Sequence, residues 1–190
     1  MAMISKLVSL SALPVLAGCL SATSPELSHW PIEYDGRAKK AQATPFGVGR
    51  VSQVVVRTPY NAEGIVVLRA DGTVEVDPFN EFVATPSAVL KGVVADAMEA
   101  SGRFSAVVNS SSAVLATTSV EVLVVRLALD CRREGERKAV ADVVVRVLKD
   151  GEILALERAD GSADAANGNF GEAFSVAVSA ALAAAFGQFK

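Results

Sequence analysis

Two cysteines and one histidine are all that this 190-residue chain offers for thiolate or imidazole chemistry. Zinc fingers, iron–sulfur motifs and disulfide scaffolds each need more Cys or His than that. Cys19 has the more specific surroundings. Lys6 supplies a short positive n-region, and Leu7 to Leu16 is an apolar run interrupted by Ser9, Ser11 and Pro14. As a helix that run spans about 15 Å, half a bilayer core, which fits a signal-peptide h-region rather than a membrane span. It closes in Leu16-Ala17-Gly18-Cys19, which resembles a bacterial lipobox. In such a motif the Cys thiol takes a diacylglyceryl group, and the cysteine becomes the N-acylated new N-terminus. Acyl chains contribute about 0.8 kcal/mol per buried methylene, so three of them anchor permanently.

Residues 1–18 are therefore expected to be a signal peptide and Cys19 the lipidation site. Its diacylglycerol and N-acyl chain (palmitate-type) are the only attached groups expected; no other cofactor and no metal is implied. Cys131 is left without a disulfide partner and reads as a small residue at a strand end. Leu20, where an Asp would retain the protein in enterobacterial sorting, permits delivery to the outer membrane.

Other catalytic patterns are incomplete. His29 lies in a proline-punctuated lead-in, a poor support for a general base that must be held to within about 0.5 Å. Gly47-Val48-Gly49 lacks the third glycine of a dinucleotide fingerprint and precedes a strand, and there is no phosphate-binding loop ending in Gly-Lys-Ser/Thr. Asp160, Asp164 and Asn167 lack EF-hand spacing and read as a polar loop. Arg132, Arg133, Arg137 and Lys138 form a basic cluster, interrupted by Glu134 and Glu136, that reads as a solvated hairpin tip. The chain is thus expected not to be an enzyme. A formal charge of −3 gives no reason to expect nucleic-acid binding.

The elements that would carry any site follow from periodicity. Residues 20–46 hold Pro25, Pro31 and Pro45 without a sustained period, so residues 19–46 read as a lipidated N-terminus and tether. Trp30 and Tyr34 break the polar pattern and are candidates to dock on the domain, with the headgroup region as the alternative for Trp30. Residues 47–190 read as one domain. Strands are expected at Val48–Arg57, Ile65–Arg69 and Thr73–Val76, the last two joined by a type I′ turn at Asp71-Gly72. Thr85 and Pro86 open a helix whose stripe is Val89, Leu90, Val93, Val94, Ala97 and Met98, ended by Gly102. Strands follow at Phe104–Val108, Val120–Leu129, Val140–Leu148 and Ile153–Glu157.

In the long pair, Leu123, Val125, Leu127 and Leu129 are expected to share the core face with Ala141, Val143, Val145 and Val147. A three-residue loop at Arg133-Glu134-Gly135 places Arg126 opposite Asp142. Asn169 and Glu172 have capping-box spacing at the start of a last, Ala-rich helix that Gly187 ends. The order βββ-α-ββββ-α, with tight turns between strands, predicts an α+β fold: an antiparallel sheet with two helices on one face.

In this order the chain resembles the ABC-type transport auxiliary lipoprotein family, which includes the paraquat-inducible-type lipoproteins. The matching stretches are Val51-Ser-Gln-Val-Val-Val-Arg, Phe79-Asn-Glu-Phe-Val-Ala-Thr-Pro-Ser-Ala-Val-Leu and Ala97-Met-Glu-Ala-Ser-Gly-Arg-Phe-Ser-Ala-Val-Val, with the long strand pair, the Ala-rich helix and Cys19. Phe82 stands where the family usually has a Trp. The resemblance implies a lipoprotein on the periplasmic face of the outer membrane, held by its lipid anchor. It implies a non-catalytic adaptor role with a mammalian-cell-entry (MCE) domain protein, and indirectly with an ABC permease and ATPase that move lipids across the envelope. Docking is expected at an exposed strand edge or at the aromatic strip around Phe79 and Phe82, the candidate partner-binding residues; the alternative is that both belong to the core. The alternatives are a stand-alone lipid-binding carrier, with an apolar cleft between helices and sheet, and a structural envelope lipoprotein.

Overall fold

The computed structural model describes residues 26–36 and 46–189. The lipobox-like stretch and Cys19 lie outside the described residues. Within them the chain runs β1 (Ser28–Trp30), β2 (Val48–Val56), β3 (Gly64–Arg69), β4 (Val74–Phe82), α1 (Pro86–Ser101), β5 (Ala106–Val107), β6 (Thr118–Cys131), β7 (Lys138–Lys149), β8 (Glu152–Asp164) and α2 (Phe170–Gln188). The fold is α+β, with two helices and one eight-stranded sheet.

The sheet is mixed, not antiparallel. β3–β4, β6–β7 and β7–β8 are antiparallel, as tight turns dictate. β6 then pairs in parallel with β2 along its first half and with β3 at its end, and β1–β4 and β2–β5 are parallel as well. The long connections through α1 and the 108–117 loop allow this, since a parallel pair needs a crossover. β1 is the strand missing from the sequence-based order. It lies in the stretch read as tether, and Trp30 packs edge-on against Phe170 with ring centroids 5.7 Å apart. The folded unit therefore reaches back at least to Ser28.

Arg126 does pair with Asp142, and Gly135 takes φ 74° in the β6–β7 loop. Below Arg126 the register shifts between Val124 and Arg126. This bulge turns Val120, Val122 and Val124 into the core, ahead of Leu127 and Leu129. Leu123 and Val125 are only half-buried, contrary to the unbroken alternation expected of them. On β7, Ala141, Val143, Val145 and Val147 are all buried.

Two of the hairpin turns differ from each other. Asp150 and Gly151 both have positive φ, 52° and 85°, the signature of a type I′ turn. At Asp71-Gly72 only the glycine does, and Asp71 Oδ1 instead accepts hydrogen bonds from the Thr73 backbone N–H and hydroxyl. β8 runs on to Asp164, through residues that read as a polar loop. The reason is Gly161. A Cβ there would collide with the Ala177 carbonyl oxygen and the Ala181 nitrogen of α2, so the glycine marks close helix–strand approach rather than a turn.

Leu90 and Val94 of α1, and Val178 and Leu182 of α2, meet over Val122, Val124 and Val143. α1 starts with Pro86 and stops at Gly102, which has φ 66°. Thr85 makes no side-chain cap; the Ser87 N–H donates to Asn61 Oδ1 instead. Asn169 caps α2 as expected, accepting from the Glu172 N–H while its own amide donates to the Glu172 carboxylate. Gly187 does not end α2, which continues to Gln188. Phe189 then packs edge-on against Phe46 and Phe186, burial that holds the last turn in place. α2 is apolar enough to cross a membrane by length and composition, but most of it is buried in the domain.

Candidate partner-binding surface

The two phenylalanines singled out by sequence part company. Phe82 closes β4 and is 2% exposed, its ring edge-on to Phe174 at 5.1 Å. It is a core residue with no surface to offer a partner, so for Phe82 the core reading holds and the binding reading is corrected. Phe79 is 44% exposed. The offset of three residues places them differently because a strand alternates every two.

A local network presents Phe79. Asp77 Oδ1 accepts from the backbone N–H groups of Phe79 and Asn80, at 2.8 and 3.1 Å. Asn80 Nδ2 donates to Asp77 Oδ2, and Trp30 Nε1 donates to Asn80 Oδ1 at 2.9 Å. Pro78 sits where β3 and β4 slip register between Gly64 and Val66, a place where a missing N–H costs the ladder nothing. β1 covers the outer edge of β4 only at Asn80–Phe82. From Val74 to Phe79 that edge has no strand beside it among the described residues, and Val74, Val76 and Phe79 are all exposed. Sequence reasoning missed Val74 and Val76, although their alternation with Glu75 and Asp77 is that of an edge strand with one open face.

The other sequence candidates are accounted for locally. Arg132 holds Asp130 through two hydrogen bonds of 2.9 and 2.6 Å, and this guanidinium keeps the Asp130 carboxyl below its ordinary range. Lys138 pairs with Glu136 at 2.9 Å and lowers that carboxyl similarly. The basic cluster at the hairpin tip is thus largely neutralised from within. His29 stands in β1, 4.0 Å from Glu81. Cys131 ends β6, half-buried. Where both helices meet the sheet, the space lined by Leu90, Val94 and Val143 amounts to about 10 Å³; beside α1, a groove lined by Val51, Lys91, Ala95, Glu99 and Val107 holds about 520 Å³.

The chain matches no family model and no curated protein. Its fold is similar to that of solved structures. The crystal structure of protein XCC0632 from Xanthomonas campestris, of family model DUF330, superposes with a TM-score of 0.54 at 17% identity, over 86% of this chain and 84% of that one. An uncharacterized protein superposes with a TM-score of 0.50 at 13% identity, over 83% of this chain and 93% of that one. At such identities the likeness is one of fold.

Proposed function

We propose that this protein is a non-catalytic lipoprotein adaptor of an MCE-type ABC transport system that moves lipids across the bacterial envelope. It is acylated at Cys19, sits on the periplasmic face of the outer membrane, and meets an MCE-domain protein. The permease and ATPase act through that partner. The motif at Cys19 and the family resemblance support the class. The single observation that supports docking is the uncovered run of β4, where Val74, Val76 and Phe79 stand exposed on an unpaired edge. An edge strand offers backbone hydrogen bonds for affinity and alternate side chains for specificity.

A carrier that holds lipid where both helices meet the sheet finds no support, because about 10 Å³ there is far below an acyl chain; the groove of about 520 Å³ between α1, β2 and β5 is lined in large part by Lys91, Glu99, Asn109 and Ser110. Binding of the full-length protein to its cognate MCE-domain protein tests the docking edge. Phe79→Ser is expected to weaken binding at least severalfold while the protein stays folded; full affinity in that variant refutes the edge as the docking site.

A further inference from the structure

The face of the sheet away from α1 and α2 carries no helix among the described residues, yet its middle is aliphatic. Val55 of β2, Leu123 of β6 and Val144 of β7 lie side by side in one row. Leu156 of β8 joins the next row, opposite Arg146. Val55 is 41% and Leu156 50% exposed. The charge on this face runs against that of the whole chain, which is −3. Arg50, Arg57, Arg126, Arg146 and Arg158 fall on the outward positions of these strands or at their ends, with no lysine among β2, β6 or the middle of β7 and β8. Glu121, Asp130, Asp142, Asp160 and Asp164 are the acidic groups on this face, with Asp130 near Arg126 but held by Arg132. Arg158 is held by Asp142 at 2.6 Å, and Arg146 lies 3.8 Å from Glu121. Arg50, Arg57 and Arg126 have no ion pair among the described residues, and Arg126 Nε is buried without a hydrogen-bond partner.

We propose that this helix-free face rests on an anionic phospholipid surface, with the arginines on lipid phosphates and the aliphatic rows against the headgroup boundary. The inference rests on the acylation of Cys19 proposed above. Arginine suits the role because its planar guanidinium meets phosphate with two hydrogen bonds. Chain length favours a membrane over a protein as the occupant. β1 is already in the sheet at Ser28, so the link from Cys19 to Leu27 spans at most about 27 Å. Such a link keeps the sheet within about 27 Å of the bilayer. Face-to-face pairing with a second copy would set two arginine-rich surfaces against each other.

The test uses the full-length acylated protein with Cys131→Ser and a dye on Leu156→Cys or on Ala180→Cys, an exposed position of α2. Acrylamide quenching is compared in vesicles of equimolar phosphatidylethanolamine and phosphatidylglycerol, in phosphatidylcholine vesicles and in detergent. The expected result is several-fold shielding at position 156 in the anionic vesicles alone, reversed by Arg50→Ser with Arg57→Ser, and no change at position 180. Equal quenching at 156 in both lipids overturns the proposal. So does shielding already present in detergent, which would mean that protein covers the face. An intact mass without acyl chains refutes the anchor itself, and this orientation with it; acylated protein with an unshielded position 156 refutes the orientation alone.

Discussion

Phe79 and Phe82 fall on different sides of β4, as their offset of three implies, but sequence could not supply which of the two faces the core. Phe82→Ala removes a ring packed on Phe174 and is expected to cost about 3–5 kcal/mol in urea unfolding. Phe79→Ser is expected to stay within about 0.5 kcal/mol of the parent, as exposed positions do. Gly161→Ala is the sharper backbone test. Its Cβ meets main-chain atoms of α2, which cannot swing aside as a side chain can, so a loss of more than about 2 kcal/mol is expected by the same measurement. Gly161 falls among the residues that read as a polar loop, because close approach to another element leaves no local signal. The Arg126–Asp142 pairing was legible, since turn chemistry at Gly135 sets the register nearby. Its ion-pair consequence was not: Asp142 turns to Arg158 on the other neighbouring strand.

Among the elements, the helices were the most legible. Their caps are local, and Asn169→Ala is expected to cost about 1 kcal/mol, seen as a lower urea midpoint. The strands of the tight hairpins were legible for the same reason. β1 was not, because three residues among prolines carry no period, and it exists only because β4 offers an edge. The bulge at Val125 was equally hidden: a run of valines and leucines reads the same on either face. The β6–β7 hairpin also carries a pH dependence. Asp130 and Glu136 have folded-state pKa values below their ordinary ones, held down by Arg132 and Lys138. Their contribution is complete above the ordinary carboxylate range and is lost as pH falls through the lowered values. Stability of the parent is therefore expected to fall more steeply below that range than stability of Asp130→Asn, in urea titrations across acid pH.

At the scale of the molecule, sequence conveyed the α+β class but not the mixed sheet. Parallel pairing of β6 with β2 and β3 is set by long-range contacts that no window of sequence contains. The combination matters for function. A packed core fills the space where both helices meet the sheet, and the proposed partner contact lies at the surface, on the β4 edge. The proposed lipid at Cys19 fixes where that surface works. Cys19→Ser is expected to yield protein without the diacylglyceryl mass, read by intact mass spectrometry.

The most direct measurement is affinity purification of the full-length, C-terminally tagged protein from cross-linked membranes, followed by identification of what accompanies it. The adaptor account predicts recovery of an MCE-domain protein with its permease and ATPase, and reduced recovery with Phe79→Ser. Intact, acylated protein that brings down none of these components would contradict it.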